Sequence, residues 1–116
     1  MSDFDLATVD RLLSTTRAVR KRLDFSRPVP RDVVLDCVRL SQQAPTASNT
    51  QRWRWLLVDD PELKRELGAI YRDGIPAIRW SMEQTAHDEQ TRDVYDAALW
   101  LAERLGEVPL LAIPCL

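Results

Sequence analysis

A chain of 116 residues with 45% hydrophobic content has the size of one folded domain and is too apolar to stay disordered. Its formal net charge of −2 argues against a general nucleic-acid or membrane-surface binder. No apolar run approaches the roughly 20 residues of a membrane span, the start Met1-Ser2-Asp3-Phe4-Asp5 is acidic where an export signal is basic, and the two cysteines do not make a disulfide framework.

Leu6, Val9, Leu12 and Leu13 recur at helical spacing and predict a first helix over about residues 5–16. Thr15-Thr16-Arg17-Ala18-Val19-Arg20-Lys21-Arg22 follows, with Arg17 and Arg20 where that helix should end. An arginine fork can hold a phosphate by two parallel hydrogen bonds. Basic residues also favour helix C-termini for their own sake, so the cluster alone says little. Residues 25–29 read as a loop. Pro30 suits the first turn of a second helix, with Val33, Val34, Cys37 and Val38 on one face.

Ala44-Pro45 stops that pattern, because a residue before proline is pushed out of the helical region. Thr46, Ser48, Asn49, Thr50 and Gln51 then crowd short hydrogen-bonding side chains together, and Trp53, Trp55, Leu56, Leu57 and Val58 predict a strand directly after. A polar loop between a helix end and a buried strand suits recognition of a planar polar ligand edge. A turn rich in turn-formers is the plainer reading of the same residues. Trp53 and Trp55 are expected on one strand face.

Asp60-Pro61-Glu62 marks the start of a third helix, lined by Leu63, Leu67 and Ile70, which Gly74 can end. Ile75, Ile78, Trp80 and Met82 suggest a partly buried connection or short helix over residues 75–88. From about Thr91, the positions Val94, Ala97, Ala98, Leu101 and Leu105 mark a helix closed by Gly106. Residues 108–113 are near-continuously apolar and read as an interior strand buried on both faces. Cys37 and Cys115 read as small buried residues in a reducing compartment. The whole is one α+β domain over residues 1–116, without repeat or linker.

Other chemistries find little support. His87 is the only histidine, and the sequence lacks Cys-x-x-Cys, His-Glu-x-x-His and Gly-x-Gly-x-x-Gly. His87-Asp88-Glu89 reads as a solvated helix start. No metal ligand is assigned. Ser14, Thr15 and Thr16 have no catalytic partner, so no catalytic nucleophile or acid is assigned either.

Thr16-Arg17-Ala18-Val19-Arg20 and Pro45-Thr46-Ala47-Ser48-Asn49-Thr50-Gln51-Arg52-Trp53, in this order, resemble the FMN-dependent nitroreductase family. That family typically carries an Arg-Arg-Ser-x-Arg element near its N-terminus and a Pro-Ser-x-x-Asn-x-Gln-Pro-Trp element after its next helix. The resemblance extends to Val108-Pro109-Leu110-Leu111-Ala112-Ile113-Pro114, which looks like a central strand of these proteins. It implies a nitroreductase-like α+β fold with a central sheet flanked by helices. Against that pattern, the chain reads as the N-terminal portion of such a domain, truncated at its C-terminal side.

The resemblance also implies the chemistry. FMN would take a hydride from NADH or NADPH and pass it to a small electron acceptor. Arg17 and Arg20 are expected at the phosphate and ribityl end, and Thr46, Ser48, Asn49 and Gln51 at the isoalloxazine edge. Two departures bear on this. Thr16 and Ala18 stand where the family has Arg and Ser, which leaves Arg17, with Thr16 and backbone N–H groups such as that of Ala18, to hold the phosphate. Arg52 stands where the family has Pro and brings a charge near the flavin. The family's two motifs commonly reach one flavin from different subunits, which implies a homodimer with FMN at its interface, in the cytoplasm, with no nucleic acid or membrane partner. Two other readings stay open: an inactive fragment that binds no flavin, and a small interaction module using the Trp-rich strand and Arg-rich turn.

Overall fold

The computed structural model describes residues 4–116; the Met1-Ser2-Asp3 start, read as unlike an export signal, lies outside them. Helix α1, Leu6–Thr15, begins where the Asp5 carboxylate accepts from the Ala7 N–H at 3.1 Å. It is amphipathic, as its leucine spacing predicts, yet each of its residues is exposed. In helix α2, Arg31–Ser41, Val34 and Val38 are half-buried one turn apart. Val33 and Cys37, on the adjoining side, are exposed. The expectation that Cys37 is buried is therefore corrected: periodicity finds the apolar side of the helix, but only a narrow stripe of it meets other elements.

Strand β1, Arg54–Val58, follows, with Trp53 just ahead of it. Arg31 ties the start of α2 to the end of β1 through a two-pronged bridge to Asp59, Nε and Nη2 each 2.9 Å from a carboxylate oxygen. The Arg31 hydrogen bonds hold the Asp59 carboxyl below the usual carboxylate range. Asp60 accepts from the N–H groups of Glu62 and Leu63, and Pro61 opens helix α3, Pro61–Arg72, as its sequence predicts.

Of the connection or short helix expected over residues 75–88, the structure makes an eleven-residue helix, α4, Ile75–Thr85, with Pro76 in its first turn. Asp88 caps α5, Glu89–Arg104, by accepting from the Thr91 N–H at 2.8 Å. The Tyr95 hydroxyl on α5 bonds Ser81 and Thr85 of α4 at 3.0 and 2.9 Å, first Ser81 and then Thr85 drawing the phenol below its ordinary range. A 3₁₀ turn, Leu105–Glu107, takes the chain round to strand β2, Leu111–Cys115. β2 runs antiparallel to β1, with Leu56 opposite Ile113 and Trp55 opposite Pro114. Among the described residues this makes five α-helices and a two-stranded sheet, the α+β class that the sequence predicts.

The expected strand over residues 108–113 is corrected in place and in burial. It starts at Leu111, and its inner and outer positions alternate between half-buried and exposed, so one face only is covered. The cause lies at Lys64. This buried lysine on α3 donates from Nζ to the carbonyls of Val108 at 2.7 Å and Pro109 at 3.2 Å. Those carbonyls are spent on a side chain, and Pro109 has no N–H, so the ladder begins only beyond them. Cys115, expected to be buried, is half-buried at the strand's last position.

The best-packed region is the crossing of α3 with the turn after α5. Leu99, Ala102 and Val108 are buried there, next to the close approach of Gly68 to Gly106. Phe25 stacks on Trp100, ring centroids 5.7 Å apart, and anchors the loop before α2 to α5. The Cα radius of gyration is 17.3 Å, where a compact domain of this length would have about 13 Å. The excess matches an α1 that lies uncovered.

Candidate functional site

The loop after α2 is built from its own polar groups. Thr46 is extended, and a short 3₁₀ turn, Ala47–Asn49, follows. Ser48, Asn49 and Gln51 have φ of 52°, 51° and 48°, in the left-handed region. Asn tolerates that region, but Ser and Gln pay for it in strain, and such strain persists only where the surroundings over-determine it. Here they do. The Asn49 N–H donates to the Thr46 carbonyl at 2.9 Å and the Thr50 N–H to the Ala47 carbonyl at 3.2 Å. Gln51 donates to Thr46 Oγ1 twice, from its backbone N–H at 3.0 Å and from Nε2 at 3.2 Å, and Nε2 also reaches Asn49 Oδ1 at 2.7 Å.

The accounting of these bonds decides what the loop can still offer. A hydroxyl has two acceptor sites and one donor, and a primary amide has two donors and a two-site acceptor. Thr46 Oγ1 has both acceptor sites filled, so only its O–H is left. Gln51 Nε2 has spent both protons, so only its Oε1 is left, while Asn49 keeps its amide protons. Gln51 is bonded to both neighbours and lies between them. Of these three side chains, Thr46 and Asn49 thus keep a free donor and Gln51 a free acceptor. Thr46, Asn49 and Gln51 are thus brought together as the sequence suggests. Ser48 joins them through backbone geometry alone; its hydroxyl bonds nothing among the described residues.

The arginine element is placed elsewhere. Arg17 turns back on the end of α1, donating from Nη1 to the carbonyls of Ser14 at 3.0 Å and Thr16 at 2.8 Å. Its Nε and Nη2 remain free among the described residues. Thr16 spends its N–H and its hydroxyl proton on the Leu12 carbonyl. Ala18 is exposed, and its N–H bonds nothing among the described residues. Arg20 is half-buried, and its carbonyl accepts from the Leu23 N–H.

Two cavities flank these elements. One of about 450 Å³ is lined by Pro45, Thr46, Ala47, Thr50, Arg52, Trp53 and Leu116. It includes neither Arg17 nor Arg20, so within one chain the two motifs do not share it. Trp53 is also the residue whose buried indole N–H lacks a partner among the described residues. Thr50, Arg52 and Trp53 are not among the flavin contacts that the sequence suggests, although Thr50 belongs to the polar loop and Arg52 brings its charge there. The signal available was Arg52 itself, a charge set in a loop of small neutral side chains. The other cavity, about 820 Å³, is mainly apolar and lies between residues 23–33, α5 and the lead-in to β2.

The remaining shifted carboxyls are structural. Hydrogen bonds from Thr8, Ser26 and Thr91 lower Asp5, Asp24 and Asp88 respectively, at helix caps and a turn. Among the described residues no cluster of three metal-ligating side chains occurs, and no helix is long and apolar enough to cross a membrane.

The Nitroreductase family model matches residues 13–114. Iodotyrosine deiodinase 1 of Pongo abelii is 28% identical over 102 residues, 88% of this chain and 34% of that protein. Iodotyrosine deiodinase of Drosophila melanogaster is 37% identical over 62 residues, 52% of this chain and 22% of that protein. The Nematostella vectensis enzyme of the same name is 32% identical over 57 residues, 49% of this chain and 21% of that protein. The chain thus spans between about a fifth and a third of the length of these curated relatives.

Proposed function

Because the chain belongs to the Nitroreductase family, we propose that it is the flavin-holding part of an FMN-dependent oxidoreductase that draws a hydride from NADH or NADPH and delivers it to a small electron acceptor. The observation that carries this reading is the bonding of Thr46, Asn49 and Gln51. The pyrimidine edge of a flavin presents two carbonyls flanking an imide N–H. The groups left free on Thr46, Gln51 and Asn49, two donors and an acceptor, are in kind and number those that such an edge pairs with. The residues present therefore fit the cofactor.

In this reading Thr46, Gln51 and Asn49 orient the ring, and the strained backbone at Ser48 keeps them in place without cost at the moment of reaction. The free Nε and Nη2 of Arg17, with Arg20 and the Ala18 N–H, hold the phosphate and ribityl end; Thr16 shapes the turn. Bound FMN supplies the hydride chemistry, so the protein needs no nucleophile of its own.

The site is completed by a second copy. The cavity lined by Thr46 excludes Arg17 and Arg20, and the apolar side of α1 is uncovered, which supports a homodimer with one motif from each subunit at each flavin. An exposed thiol at Cys37 and an unpaired Cys115 suit a reducing cytoplasm. The relatives' names make iodotyrosine an acceptor to assay beside nitroaromatics.

The test is an absorption spectrum and a melting curve with and without FMN. A yellow protein that melts higher with FMN supports the reading, since a ligand of the native state must stabilise it. A colourless protein, unmoved by excess FMN, overturns it and leaves the inactive fragment and the interaction module.

A further inference from the structure

The 450 Å³ cavity beside the polar loop has a composition that selects its ligand. Pro45, Ala47, Trp53 and Leu116 give it apolar walls. Its polar side chains are Thr46, Thr50 and Arg52. Among the described residues Arg52 lies within 4 Å of no carboxylate, unlike Arg31, Arg39, Arg79 and Arg104. The Thr50 hydroxyl is likewise uncommitted among the described residues, while Thr46 has its acceptor sites filled by Gln51. Arg52 is the one charged side chain that lines the cavity.

A free guanidinium at an apolar slot beside an aromatic wall fits a flat apolar body ending in a carboxylate. The volume lies within the range of small-molecule sites, roughly 300–1,000 Å³. Thr46 both lines this cavity and belongs to the loop that would hold the flavin edge, so a ligand here would sit next to the ring. We propose that this cavity is the acceptor subsite, that it takes a planar aromatic carboxylate, and that Arg52 is the residue that selects for the negative charge. The choice of acceptor over some other ligand rests on the flavin reading; the anion preference of the cavity does not.

The experiment is a ligand-binding titration of the full chain, followed by saturation-transfer NMR. The probes are para-nitrobenzoate and its neutral isostere para-nitrobenzamide, run with and without FMN. Wild type should prefer the carboxylate by about tenfold, the scale of one charge-assisted contact. Arg52→Ala should lose the preference, and Arg52→Lys should keep part of it, since a lysine charge remains but the fork does not.

Equal binding of the two probes, no binding of either, or a preference that survives Arg52→Ala would each overturn the proposal. FMN and riboflavin affinities of Arg52→Ala are measured in parallel. A selective loss of FMN would assign Arg52 to the cofactor phosphate and also overturn it. A chain that binds no flavin yet keeps an Arg52-dependent carboxylate preference would refute the flavin reading alone and leave the anion site standing.

Discussion

Gly68 on α3 and Gly106 after α5 meet backbone against backbone. A Cβ built on Gly68 would lie 2.8 Å from the Gly106 nitrogen and 3.0 Å from its Cα, and one on Gly106 would lie 3.1 Å from the Lys64 carbonyl oxygen. Neither contact can be relieved by turning a side chain. The consequence reaches the sheet, because Lys64 lies one turn before Gly68 and fixes the lead-in to β2.

Gly68→Ala tests this crossing. Alanine in a helix interior normally gains roughly 1 kcal/mol over glycine. Forcing a methyl into backbone costs about 1–3 kcal/mol, so the clash should win. Gly68→Ala is expected to lower the denaturation midpoint at unchanged slope. A rise in midpoint would mean that α3 can move away freely.

Lys64→Met keeps the aliphatic stem and removes the donor. The Val108 and Pro109 carbonyls would lose their partner near the best-packed region of the molecule. An unsatisfied buried polar group costs roughly 1–3 kcal/mol. Hydrogen exchange at the β1–β2 ladder should accelerate in step with the loss of stability. An unchanged ladder would show that the strands hold their register without Lys64.

What the sequence shows follows from how far each cause reaches. Asp60-Pro61-Glu62 and Asp88 are legible because a cap acts over three residues. The polar loop is legible because Pro45 and the Trp53 run bound it. The start of β2 is not, because the donor that occupies residues 108 and 109 sits 44 and 45 positions away. The exposure of Cys37 is not, because periodicity finds an apolar side but not what covers it. The left-handed turns at Ser48 and Gln51 are hidden too, since neither is the glycine that usually announces them. That Thr46, Asn49 and Gln51 share one polar loop could be read from the sequence. Their hydrogen-bond bookkeeping, which decides what they can bind, could not.

Arg17→Ala separates a phosphate ligand from a helix cap. If its free Nε and Nη2 hold the FMN phosphate, the substitution should weaken FMN by about tenfold or more and leave riboflavin nearly unchanged. If Arg17 only satisfies the Ser14 and Thr16 carbonyls, both flavins should be affected alike. Fluorescence titration of the two flavins decides between them.

Asn49→Ala removes a free donor of the loop and the side chain best suited to φ 51°. The position is exposed, so no core cavity opens. Flavin affinity or the rate of flavin reduction should fall while the apo-protein's melting temperature changes little. A large loss of apo stability with intact flavin binding would make Asn49 a turn-former only.

Leu13→Arg addresses the second copy. Leu6, Leu12 and Leu13 are 71%, 66% and 72% exposed, so α1 presents an apolar stripe that no other element among the described residues covers. A substitution at such a position should cost the fold of a single chain less than about 0.5 kcal/mol. A stripe buried between two copies is different, since a guanidinium placed there would be desolvated without a partner. Leu13→Arg is therefore expected to convert a dimer to a monomer in sedimentation, with the circular dichroism spectrum retained. If each flavin needs Arg17 from one subunit and Asn49 from the other, FMN should be lost in parallel with the dimer. A Leu13→Arg monomer that still bound one FMN per chain would show that both motifs act within one subunit.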